Sequence, residues 1–249
     1  MVSPSEADHE LAHALAEQTA ERLVAVQQRG IDLRVARWSL ERDGDISSHE
    51  FLAAELQRER PTDGLLSEEG DDDGSRTEQR RVWIVDPLDG SSGFGAGNHE
   101  WAVHVAMVVD GEPVVGAVGA PGLGLTSSTK QVPDLPDRAD RRRIVVTGRT
   151  RVQVDGFVVA NALDAELVAC SSAGFKAMLV MGGHADVYVH DGPLYEWDVC
   201  APVAVALAAG LDAVTTRGER IVFNQRRPVV DGVLISRPEL TESVLAALR

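Results

Sequence analysis

The run Trp83-Ile84-Val85-Asp86-Pro87-Leu88-Asp89-Gly90-Ser91-Ser92-Gly93-Phe94 passes from an apolar stretch straight into two carboxylates, a proline, a glycine and two hydroxyls. Pro87 fixes its own φ and Gly90 permits a tight turn, so the backbone can fold back and bring Asp86 and Asp89 together. Hard divalent cations prefer such oxygen ligands, and the Leu88 carbonyl offers one more. Beyond them, the backbone N–H groups across Gly90, Ser91 and Ser92 form a candidate cradle for a phosphate. The run is not an EF-hand loop, because its glycine is misplaced and Gly97 stands where the bidentate glutamate belongs. Taken alone, it reads equally well as a surface turn.

Two further acidic elements change that balance. Leu65-Leu66-Ser67-Glu68-Glu69 ends an apolar strand in two carboxylates, and Glu196-Trp197-Asp198 opens an apolar helix with two more. Singly, these are a solvated strand end and a helix N-terminus favoured by the dipole. Together with Asp86 and Asp89 they predict a metal site built from Glu68, Asp86, the Leu88 carbonyl, Asp89 and Asp198. Other chemistries find less support. His104 lies in an apolar strand and reads as a core histidine, and His49, His99, His184 and His190 show no ligand spacing. Cys170 and Cys200 read as small core residues rather than nucleophiles. Neither a P-loop nor a glycine-rich dinucleotide fingerprint is present.

The elements that must position these groups follow from periodicity. Residues 6–29 carry Leu11, Leu15, Ala16, Leu23 and Val26 at helical spacing, and Gly30 ends the run. Residues 33–40 read as a short extended piece, with Asp45 as the N-cap of a second helix over 46–58. Strands are expected at 64–67 and 81–85, with a mobile polar loop at 71–80 between them. Asp110-Gly111 between two apolar runs, 101–109 and 113–120, is a hairpin signal. Prolines at 121, 133 and 136 mark a soft boundary, which divides the chain into an N-terminal α+β half (1–125) and a C-terminal α/β half (126–249). The second half alternates: strands at 144–147, 167–171, 185–189, 213–215 and 229–235, and helices at 173–181, 197–209 and after Pro238.

Composition sets the outer limits. The chain has 249 residues, 44% of them apolar and 25% charged, with a formal net charge of −15. That charge disfavours binding to a nucleic acid polymer, which relies on basic surface to displace counterions. It does not disfavour a small phosphorylated substrate, because bound cations reverse the field locally. No apolar run approaches the roughly 18–20 residues that span a bilayer, so no membrane partner is expected. The acidic N-terminus argues against a signal peptide, and two isolated cysteines fit a reducing, cytoplasmic location.

Three signatures, in order and separation, resemble the inositol monophosphatase superfamily. They are Trp83 to Ser91, Leu66-Ser67-Glu68-Glu69 and Trp197-Asp198-Val199-Cys200-Ala201-Pro202. Within it, the Leu-Ser-Glu-Glu form, Ser172 to Met178 and Tyr195 to Asp198 are most similar to the bacterial 3′(2′),5′-bisphosphate nucleotidase branch. The resemblance implies an α/β fold, mixed α+β and α/β, in the layered αβαβα sugar-phosphatase arrangement. It implies a lithium-sensitive phosphomonoesterase with two or three Mg²⁺ ions, acting on 3′-phosphoadenosine 5′-phosphate in sulfur assimilation, and a possible homodimer. By motif, the catalytic residues would be Asp45, which helps activate the attacking water, Ser91, which orients it, and Glu69, which stands just behind the metal ligands. Gly90, Ser91, Ser92, Ser172, Lys176 and Glu196 would face the substrate. Arg149 and Arg151 are further candidates for a second phosphate, though they read first as solvated basic surface. Glu41-Arg42 departs from the Val-Thr pair that the family often places before the Asp45 position. The alternatives are an inositol or sugar monophosphatase with the same metals and, in a different class, a catalytically silent metal- or nucleotide-binding regulator.

Overall fold

The computed structural model describes residues 3–135, 142–149 and 154–249; Arg151 lies outside them. Two long helices come first, α1 (Glu6–Asp32) and α2 (Arg37–Glu59). The strands β1 (Gly64–Ser67), β2 (Arg81–Asp89), β3 (Ala102–Val109), β4 (Glu112–Ala120) and β5 (Leu125–Ser128) follow, with the short helix α3 (Ser91–Gly95) after β2. They form a five-stranded sheet in sequence order. β1 runs parallel to β2 and the other pairs are antiparallel. Asp110 and Gly111 turn the β3–β4 hairpin with φ of 53° and 85°, the paired left-handed conformation that Asp-Gly favours.

The second sheet comprises β6 (Ile144–Gly148), β7 (Glu166–Cys170), β8 (Val187–Tyr195), β9 (Asp212–Val214) and β10 (Val229–Ser236), in the order β7-β6-β8-β10-β9. Its helices are α4 (Val154–Ala162), α5 (Ala173–Met181), α6 (Glu196–Ala208) and α7 (Pro238–Ala247).

Three apolar clusters show how the layers stack. Leu15, Leu23, Leu52 and Leu56 of the first two helices pack on Trp83, Val85, Val103 and Val105, which point to one face of the first sheet. The other face, with Ile84, Ala106 and Val118, meets α5 and α6 through Met178, Met181, Val199 and Val203, which also cover Tyr188, Val233 and Ile235 of the second sheet. Val159, Leu240 and Val244 of α4 and α7 close the far side. The order is helix, sheet, helix, sheet, helix, the αβαβα layering. α5 and α6 are apolar nearly all round because they lie between two sheets.

Several elements differ from the sequence reading. Residues 33–40 are not extended: α2 begins at Arg37, and Asp45 lies inside that helix instead of capping it. Packing overrides the local signal, since a Cβ on Gly44 would fall 2.8 Å from Leu88 Cδ2 and Phe94 Cε1. Helix α2 therefore approaches the β2–α3 turn closely, and this close contact holds its first turns. The 71–80 segment is pinned rather than mobile. Arg76, buried beneath a 3-10 turn at Ser75–Glu78, donates to Asp72, Asn224 Oδ1 and the Gln225 carbonyl. β5 and α4 carry no strong period and were not expected. β2 and β8 run past their expected ends, to Asp89 and Tyr195.

Candidate metal centre

Strand β2 delivers the first two carboxylates. Its pairing with β3 is regular from Arg81 to Asp86 and then shifts before Asp89 pairs with Ala102. Within that irregularity the Leu88 N–H donates to Asp86 Oδ1 at 3.0 Å. Gly90 follows at φ +91°, and a Cβ there would lie 2.9 Å from the Glu100 carbonyl and 3.2 Å from Ser172 Cβ. Asp198 comes from the opposite layer, in the first turn of α6, where Oδ2 accepts the Tyr195 N–H at 2.7 Å. Asp86, Asp89 and Asp198 each offer a ligand atom, and these atoms all lie within 4.8 Å of one another. Glu68, just past β1, lies near enough for its charge to act on Asp86.

The electrostatics agree with a cation site. Burial, then the charges of Glu68, Asp89 and Asp198, push Asp86 well above its usual pKa. Asp198 rises to about 7 through burial and the Asp89 charge. Glu68 also rises to about 7, although it is solvent-accessible on the rim. Asp89 is the exception. Burial alone would raise it, but His104, Lys176 and Ser172 outweigh that and hold it below the usual range. Its Oδ2 accepts Ser172 Oγ–H at 2.6 Å and the Gly174 N–H at 2.7 Å. His104 Nε2 lies 3.3 Å away, off the line of a good hydrogen bond but close enough to ion-pair. Hard oxygen donors crowded this tightly fit a divalent cation, which would offset their mutual repulsion.

Asp45 lies beside this cluster. Burial and the charges of Glu69 and Glu41 raise it to about 7. Ser91 and Ser92 open α3, and Arg37 Nη2 donates to both the Ser92 carbonyl and Ser92 Oγ. A cavity of about 260 Å³ opens beside the carboxylates, bordered by Asp89, Gly90, Ser92, Ser172, Lys176 and Asp198. Lys176 is buried, its Nζ donating to the Ser172 carbonyl at 2.5 Å and lying 5.2 Å from the Tyr188 ring centre. Glu196 does not reach the cavity. It is fully buried, and its two oxygens accept the Asn224 and Gln225 N–H groups. Sequence reasoning missed Arg37 and the role of His104. Arg37 is one exposed arginine among many, but His104 had a readable signal: it pairs in register with Asp86.

The carboxylates set the sign of a stability test. Asp45, Glu68 and Asp198 hold protons in the folded chain up to about pH 7, whereas the unfolded chain releases them near 4. Between those limits folding binds protons, so the metal-free protein loses stability as pH rises through that window, and Asp86, raised further, acts in the same direction. His104, also raised, acts with the same sign; Asp89, lowered, matters only in acid. In chelator the melting temperature should fall from pH 5 to pH 8. Saturating Mg²⁺ should raise it most at pH 8, by linkage. Melts that ignore Mg²⁺ at both pH values would contradict a cation site.

Comparison with known proteins then decides the family. Residues 7–249 match the model of the inositol monophosphatase family. The chain belongs to that family. It is 36% identical to a 3′-phosphoadenosine 5′-phosphate phosphatase of Mycobacterium bovis, over 85% of this chain and 82% of that protein. A Mycobacterium leprae protein of the same name is 33% identical over 97% and 93%. The 3′(2′),5′-bisphosphate nucleotidase CysQ of Escherichia coli is 29% identical over 73% and 78%. Among solved structures, CysQ from Bacteroides thetaiotaomicron superposes with a TM-score of 0.78 at 24% identity, covering 93% of this chain and 97% of that one. That last likeness speaks to the fold. The chain is thus a phosphatase of the inositol monophosphatase family. The family is metal-dependent, and the Asp86–Asp89–Asp198 triad is a cluster able to hold metal. Among the described residues no helix is long and apolar enough to cross a membrane.

Proposed function

We propose that this phosphatase removes the 3′-phosphate from 3′-phosphoadenosine 5′-phosphate, giving adenosine monophosphate and inorganic phosphate. The observation that carries the reading is the convergence of Asp86, Asp89 and Asp198 beside a cavity, in a chain 33–36% identical to phosphatases named for that substrate.

Glu68, Asp86, the Leu88 carbonyl, Asp89 and Asp198 would hold two or three Mg²⁺ ions. Bound there, the ions would supply positive charge to phosphate oxygens and lower the pKa of a water. The remaining steps belong to the chain's own residues. The Gly90–Ser92 backbone orients the reacting phosphate, with Ser92 fixed by Arg37. Ser91 and Asp45 aim the attacking water, and Asp45, raised to about 7, is basic enough to take its proton. Glu69 sustains that basicity through its charge. The water oxygen bonds to phosphorus, the bond from phosphorus to the 3′-oxygen breaks, the departing alkoxide takes a proton from solvent, and Asp45 returns to its starting state by releasing the water's proton to solvent. Ser172 holds Asp89 in place from the cavity wall. Lys176 favours a bound anion by its charge from below, while its donors hold the Ser172 and Cys170 carbonyls.

The test is phosphate release from 3′-phosphoadenosine 5′-phosphate, 3′-AMP and inositol 1-phosphate, with Mg²⁺ or with chelator. The bisphosphate should be the best substrate, activity should vanish in chelator, and added lithium should reduce it in a Mg²⁺-dependent way. A preference for inositol 1-phosphate would overturn the substrate assignment. Turnover that survives excess chelator would overturn the metal mechanism.

A further inference from the structure

Arg149 and Glu100 form an ion pair on the cavity rim that the hydrolysis of one phosphate does not require. Arg149 lies just past the end of β6 and borders the cavity, and its Nη2 donates to Glu100 Oε1. The other Glu100 oxygen accepts the Ser171 N–H at 2.9 Å, and the Glu100 carbonyl packs where a Cβ on Gly90 would fall. Glu100 therefore ties together the Gly90 turn and the β7–α5 turn without help from Arg149. The arginine adds little to that tie: its side chain is 54% exposed, and an exposed pair of this kind is weak and readily exchanged.

The charge balance of the cavity gives Arg149 a task. A nucleotide bisphosphate brings two dianionic groups to a site walled by Asp89 and Asp198. The metal cluster accounts for the reacting phosphate alone. Lysine and arginine are represented among the described lining residues by Lys176 and Arg149. Lys176 is 4% exposed and commits its ammonium to backbone carbonyls. Among the described residues Arg149 holds the Glu100 carboxylate, and a phosphate is a stronger, doubly charged acceptor that fits the same guanidinium fork.

We infer that Arg149 is a specificity residue that leaves Glu100 to grip the second, non-reacting phosphate of a bisphosphorylated nucleotide. Glu100 parks the arginine while the cavity is empty, so binding exchanges one anionic partner for another and leaves no charge unpaired. This inference rests on the nucleotidase reading of the same site.

The test compares 3′-phosphoadenosine 5′-phosphate with 3′-AMP, which differ only in the 5′-phosphate, at one saturating Mg²⁺ concentration. Arg149→Ala should lower kcat/KM for the bisphosphate about ten-fold or more, mainly through KM, and change 3′-AMP by less than about two-fold. Arg149→Lys should restore part of the loss, as a charge without the fork. Glu100→Gln keeps an acceptor for Ser171, releases the arginine and should lower KM for the bisphosphate. Equal losses on both substrates, or none on either, with an active wild type would overturn the role of Arg149 and leave the nucleotidase reading intact. A wild type that turns over neither nucleotide would overturn that reading, and the inference with it.

Discussion

Asp89→Asn should leave the chain folded and lower turnover by orders of magnitude, on the order of a thousand-fold. Ser172 Oγ–H and the Gly174 N–H converge on Asp89 Oδ2, with His104 beside it. An asparagine must keep a carbonyl oxygen at that position, because its NH₂ would meet donors there. Satisfying Gly174 therefore turns the amide NH₂ toward Asp86 and Asp198. The substitution removes a charge from the cluster and also presents hydrogens where a cation needs an acceptor. Circular dichroism and a thermal melt check the fold, calorimetric titration with Mg²⁺ checks the site, and phosphate release checks turnover. Because Asn also gives up the charge that His104 and Lys176 stabilise, the metal-free variant should melt somewhat lower than wild type while still unfolding cooperatively. Full activity in the variant would sink the metal mechanism and favour a chain that binds its ligand without reacting it.

The parts of this site that were legible in the sequence are those whose chemistry is local. Asp86, Pro87, Asp89 and Gly90 sit within five residues, and the turn that brings the carboxylates together is made by the same residues that announce it. Glu68 and Asp198 could be added because each ends or begins an apolar element that must point inward. The αβαβα layering was reached through the family resemblance, and the strand and helix alternation was consistent with it. What failed depended on partners distant in sequence. The start of α2 is fixed by Gly44 against Leu88 and Phe94, contacts more than 40 residues away that no local capping signal reports. Glu196 reads like Asp198 two residues on, yet those two steps of helix turn it about 200° away, where it secures the Asn224–Gln225 backbone. Glu100 and Arg37 gave no motif at all, since each acts through single contacts to residues from other elements.

Gly174→Ala should be nearly as damaging to activity as the loss of a ligand, although Gly174 carries no functional side chain. Its N–H holds Asp89 Oδ2, and a Cβ added there would lie 2.0 Å from His104 Nε2 and 2.9 Å from Ala102 Cβ. The imidazole has nowhere to retreat: it is fully buried, and its Nδ1 lies 3.0 Å from the Trp197 carbonyl. Either the ring or the start of α5 must move, and both are attached to Asp89. Overpacking of this kind costs about 1–3 kcal/mol in stability. Displacing a metal-bearing carboxylate by even 1 Å costs roughly a hundred-fold in rate. His104→Ala separates the causes. On its own it removes the imidazole beside Asp89 and should lower both activity and affinity for Mg²⁺. In that background the severest clash is gone and the milder one with Ala102 Cβ remains, so the double variant should fall close to His104→Ala instead of summing the two losses. The measurement is a double-mutant cycle on kcat/KM and on melting temperature, in which strong non-additivity is expected. Additive losses would show that the glycine is required by the backbone of α5 itself and that His104 does not set the geometry of Asp89.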